Sequence, residues 1–160
     1  MKNKNKNLII IGFILTIFLM SFVGSKTNVV NSLGEEIHLY ITDAYYGDFD
    51  GDHSEDDIRV KAVLDANFQD GALLFLYIDI ILPSGYIHRF TFQQYVVFIG
   101  PDKFITITAY NTATENGWYD CSLSGLAVYR DVLLYSYSLC TFDPPTENGN
   151  GDPEAVISIR

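Results

Sequence analysis

Between residues 47 and 58 the chain reads GDFDGDHSEDDI, and here residue type and spacing converge on one chemistry. Asp48, Asp50 and Asp52 alternate, Gly51 lets the backbone turn among them, and Asp56 and Asp57 follow at the ninth and tenth positions counted from Asp48. A hard divalent cation takes about six to eight oxygens at about 2.3–2.6 Å, and a tight loop with carboxylates at alternate positions directs several of them inward. Ser54, at the seventh position, offers its backbone carbonyl, and water completes the shell. The expected chemistry is calcium binding, with Asp48, Asp50, Asp52, Ser54, Asp56 and Asp57 as candidate ligands. The expected role is structural, an ion that stiffens a loop between two strands. A solvated acidic turn is the competing reading.

These twelve residues resemble the DxDGDxxxD calcium loops of the integrin-type FG-GAP repeat and the thrombospondin type 3 repeat. The resemblance implies a metal site and leaves the fold open. The segment looks less like a complete EF-hand. Arg59 stands at the twelfth position, where the bidentate glutamate belongs, and His53 takes the sixth, which normally demands a glycine backbone. A shifted loop that uses Asp57 is the expected remedy.

Other reactive side chains form weaker patterns. The three histidines, His38, His53 and His88, make no HxH or HxxxH pair, so each reads as a strand or loop residue. No GxSxG elbow is present, which argues against a serine hydrolase. Asp79, inside an apolar stretch, is the acid whose pKa burial would raise. Among the aromatics, Trp118, Tyr119, Tyr135 and Tyr137, with Tyr45, Tyr46 and Tyr129, have the composition of a sugar-stacking platform, although core packing and cross-strand pairing explain the same residues. Cys121 and Cys140 are the only cysteines. A hairpin turning at Arg130 and Asp131 sets them opposite each other, and an exported protein favours a disulfide there.

The elements that position these groups begin with an addressing segment. Residues 1–7 carry Lys2, Lys4 and Lys6 without an acid, residues 8–23 are uncharged and mostly apolar, and Val23, Gly24 and Ser25 are small or short. This is the order of a secretory signal peptide, with cleavage expected before Lys26. A retained membrane anchor is the alternative, in which case the membrane is met only through these residues. The expected location is the medium or the outer cell surface. The whole chain carries a net charge of −10, so nucleic acid is an unsuitable partner, whereas cations, and a cell-surface protein or glycan, remain suitable.

From residue 36 onward the apolar period is two, the period of strands. Strands are expected at 37–45, 58–68, 73–82, 86–93, 95–99, 104–110, 118–128, 132–142 and 155–159. The segment 73–82 is apolar on both faces except for Asp79 and therefore reads as a central strand covered on both sides. Turn residues at short intervals favour an antiparallel sandwich over an α/β fold. The expected architecture is all-β, one domain over 26–160 with about eight strands, similar in layout to immunoglobulin-like modules. The functional expectation is a non-enzymatic, calcium-binding module with a structural or adhesion role. A carbohydrate-binding module is the alternative, and a hydrolase stands third.

Overall fold

The computed structural model describes residues 34–100, 102–142 and 153–160. The expected signal segment, 1–25, lies outside the described residues. Eight strands follow one another: β1 (Ile37–Gly47), β2 (Asp57–Ala66), β3 (Gly71–Ile81), β4 (Ile87–Val97), β5 (Lys103–Tyr110), β6 (Tyr119–Tyr129), β7 (Val132–Phe142) and β8 (Glu154–Ile159). They form two antiparallel four-stranded sheets, ordered β1-β2-β5-β8 and β4-β3-β6-β7. No helix occurs among the described residues.

Alternation explains both sheets. On β2, Ile58, Val60, Ala62 and Leu64 are buried while Arg59 and Lys61 turn outward; on β3, Leu74, Leu76, Ile78 and Ile80, with Leu123 beside them on β6, share one apolar core with Ile105 and Ile107 of the other sheet. Fully burying a leucine or isoleucine contributes about 1.5–3 kcal/mol, so these rows hold the two sheets together. β1 keeps the same inward row only by changing phase. Its register with β2 shifts between Ile41 and Asp43, so that Leu39 opposes Leu64 before the bulge and Ala44 opposes Val60 after it. One open side of the sandwich is closed without a ladder. The amides of Leu39 and Ile41 on β1 donate to the hydroxyls of Ser136 (2.8 Å) and Ser138 (2.9 Å) on β7.

The strand order has the logic of an immunoglobulin sandwich. Strands 1-2-5 share one sheet and 3-6-7 the other, as A-B-E and C-F-G do there, with β4 added beside β3 and β8 beside β5. A second feature agrees. Tyr119, at the start of β6 and two residues before Cys121, is buried, and its hydroxyl accepts from the Glu115 amide (2.7 Å) and donates to the Glu115 carbonyl (2.9 Å). This is the tyrosine corner of such sandwiches.

Two expectations are corrected. Segments 86–93 and 95–99 are one strand, β4, which crosses Gln93 and Gln94 unbroken because an edge strand tolerates exposed polar residues. The disulfide does not form. The hairpin register is as expected, with Cys121 directly opposite Cys140, yet the two cysteines are 4.5 Å apart and both are free thiols. A disulfide holds its sulfurs about 2.05 Å apart, and the opposed strands leave these two thiols unbonded. The neighbouring Cys140 thiol, together with burial, raises the Cys121 pKa, and the Cys121 thiol lowers that of Cys140.

Candidate metal centre

The acidic loop spans the gap between β1 and β2, two neighbouring strands that fix its ends side by side. Within it the side chains of Asp48, Asp50 and Asp52 each place a carboxylate oxygen within 4.8 Å of the other two. All three are exposed. Short turns built from the carboxylates themselves impose this convergence. Asp48 accepts from the amides of Gly51 (2.7 Å) and His53 (3.1 Å), Asp50 from Asp52 (3.0 Å), and Asp52 from Ser54 (2.8 Å). Aspartates readily take such turns because their short side chain reaches an amide two or three residues on.

Two residues take left-handed backbone, Gly51 with φ 85° and His53 with φ 75°. His53 thus adopts the left-handed conformation that a glycine supplies at the sixth position of an EF-hand loop. The left-handed region costs a residue bearing Cβ about 1–3 kcal/mol, while glycine gives back about 0.4–1 kcal/mol through its freer unfolded chain. His53→Gly is therefore expected to stabilise the protein by about 0.5–1 kcal/mol in urea titration. A loss of stability instead would mean that the imidazole holds the loop.

Asp56 and Asp57 are placed differently from the first three acids. Both are fully buried beneath the loop and stand outside the three-carboxylate cluster. Asp57 accepts from three backbone amides, Phe49 (2.7 Å) and Asp50 (3.1 Å) on one oxygen and Asn111 (2.9 Å) on the other. The Asp56 carbonyl accepts from Thr112 (2.9 Å) and Ala113 (2.7 Å). Both residues thus tie the loop to the chain leaving β5. Ser54 meets the cluster through its amide, bonded to Asp52.

Sequence reasoning did not single out Phe49. Its ring lies under the Arg59 guanidinium (3.7 Å) and edge-on to Tyr45 (5.7 Å), which in turn lies beneath the Lys61 ammonium (4.8 Å). Aromatic residues flanked by cations two positions apart on β2 were the available signal. These contacts hold the loop against the outer face of its own sheet.

No family model matches the chain, and no curated protein or solved structure matches it either. The resemblance to FG-GAP and thrombospondin type 3 loops thus stays a likeness of twelve residues. The remaining sequence candidates are scattered. His38 lies 3.3 Å from Glu36, and His88 points inward on β4, where burial lowers its pKa against the opposing effect of Glu115. Asp79, on the outer face of β3, is held by Arg89 through two contacts of 2.6 and 2.5 Å. The aromatic candidates form no single platform. Trp118 (65% exposed) sits in the turn before β6, Tyr135 (62%) and Tyr137 (47%) lie outward on β7, and Tyr119 (0%) is in the core. Tyr119 is therefore corrected from a ligand candidate to a structural residue, because its hydroxyl is committed to the corner. Tyr129 is also buried, stacked on Phe68 at 4.0 Å.

Proposed function

We propose that this chain is a calcium-binding β-sandwich module acting outside the cell or on its surface, in a structural or adhesion role rather than a catalytic one. The observation that supports it is the meeting of Asp48, Asp50 and Asp52 within 4.8 Å at the tip of a loop whose base is already fixed. Oxygen donors alone suit a hard cation, and the set lacks the thiolate or imidazole ligands that softer metals prefer. Exposure suits an ion that keeps part of its water shell. The buried anchoring by Asp57 means that the loop has a shape before the ion arrives, so the ion's contribution is to neutralise three like charges and stiffen the tip.

Extracellular modules bind calcium with dissociation constants of about 10⁻⁴–10⁻³ M. At about 1 mM calcium this adds about 0.4–1.4 kcal/mol of stability, a rise in Tm of a few degrees. Calorimetry of the intact protein is expected to show that rise, and Asp50→Ala is expected to abolish it while leaving the Tm in chelator nearly unchanged. Equal melting with calcium and with chelator would remove the proposal. Carbohydrate binding is the second reading, and the outward tyrosines of β7 are the observation in its favour. It ranks lower because Tyr135 and Tyr137 stand among Leu126, Leu133 and Leu139, which offer methyl groups in place of flat rings.

A further inference from the structure

On the outer face of the β1-β2-β5-β8 sheet, polar residues such as His38, Lys61, Asp65, Thr106 and Ser158 alternate with an apolar row of Tyr40, Val63 and Phe104. On the β4-β3-β6-β7 sheet the register lines up Tyr95, Leu73, Val128 and Leu133 in one row across the strands, and Gln93, Phe75, Leu126 and Tyr135 in the next. Thr91, Tyr77, Ser124 and Tyr137 make a third. Tyr77, Tyr95, Val128, Leu133, Tyr135 and Tyr137 are all exposed, so nothing among the described residues covers these rows. Charged groups on this face are confined to one end and already partnered: Asp79 holds Arg89, and Asp120 accepts from the Thr141 hydroxyl (2.6 Å). An antiparallel sheet normally wets one face, and strands apolar on both faces are those with cover on both.

We infer that this face is covered by a second copy of the chain, the outer faces of two β4-β3-β6-β7 sheets packing against each other about a twofold axis. Area supports that occupant. Four strands of 11 residues each, spaced about 4.8 Å apart and rising about 3.3 Å per residue, give a footprint of about 700 Å². Two such faces bury about 1,400 Å², within the range of about 1,200–2,000 Å² for specific interfaces. Charge points the same way. A chain of net charge −10 resists meeting itself at most surfaces, but on this face Arg89 neutralises Asp79 and the charged groups lie at one end, away from the uncharged middle rows. Two sheets stacked face to face at about 10 Å would interdigitate these rows, and a twofold axis makes the face its own complement. The inference is independent of the calcium loop, which lies at the β1–β2 end of the other sheet.

The test is photo-crosslinking in cells making the full chain, with p-benzoylphenylalanine in place of Tyr135 and, as control, of Tyr40 on the outer face of the other sheet. Irradiation is expected to give a product of twice the chain mass from position 135, with mass spectrometry finding only this sequence in it, and none from position 40. Leu139→Asp, at an exposed site that leaves the core untouched, is expected to reduce that product at least tenfold, and Tyr137→Asp serves as a second variant for the same loss. A chain that stays at single mass, equal yield from both positions, or a product containing a glycan or a different protein would overturn the inference.

Discussion

Asp57→Ala is expected to lose about 3 kcal/mol of folding stability, measured by urea denaturation in the presence of chelator. A hydrogen bond to a charged group contributes about 1.5–3 kcal/mol, and the Asp57 carboxylate accepts three, from the amides of Phe49, Asp50 and Asn111. The sum is not additive, since loop amides released near the surface regain water. The side chain is buried, however, so truncation also leaves a void at the base of the loop. Asp57→Asn keeps a single acceptor oxygen and is expected to lose about half as much. The chelator separates this anchoring role from calcium binding: the Asp57 effect persists without the ion, whereas that of Asp50→Ala vanishes. A loss below about 1 kcal/mol for Asp57→Ala would mean that the loop does not depend on this anchor.

Tyr119→Phe comes next, with an expected loss of about 2 kcal/mol and a fall in Tm of several degrees. The ring stays in place in the core, so the change isolates the hydroxyl, which both accepts from and donates to the Glu115 backbone. Burial raises the pKa of this hydroxyl and keeps the proton it must donate. The corner also supports a neighbouring turn. The Glu115 carboxylate accepts from the amide (2.8 Å) and hydroxyl (2.7 Å) of Ser84, joining the β5–β6 connection to the turn between β3 and β4. Glu115→Ala removes only this exposed link and is expected to cost well under 1 kcal/mol. If the two variants melted alike, the corner would not be a fold determinant.

Neighbouring residues made much of this molecule legible. The alternation of Ile58, Val60, Ala62 and Leu64 with charged partners placed β2 because pleating alone decides which side chains share a face. The hairpin register of β6 and β7 followed from its two-residue turn, as the opposition of Cys121 and Cys140 shows. The aspartates at 48, 50 and 52 were found for the same reason: turns formed by adjacent residues bring their side chains together.

What escaped the sequence depended on contacts across long stretches of chain. Asp57 differs from Asp50 because it is buried at the base of the loop, where the amides of Phe49, Asp50 and, from the chain leaving β5, Asn111 close over it. Tyr119 is indistinguishable from Tyr137 by type and neighbourhood, yet one points between the sheets and the other away from them. The cysteines lie in the expected register and remain thiols, because register alone does not close the S–S bond. The apolar outer rows of β3 were visible as residues, but only assembly of the two sheets showed which side lacks a cover. Local chemistry fixes period, turn and register, while burial and partnership are settled when distant strands pack.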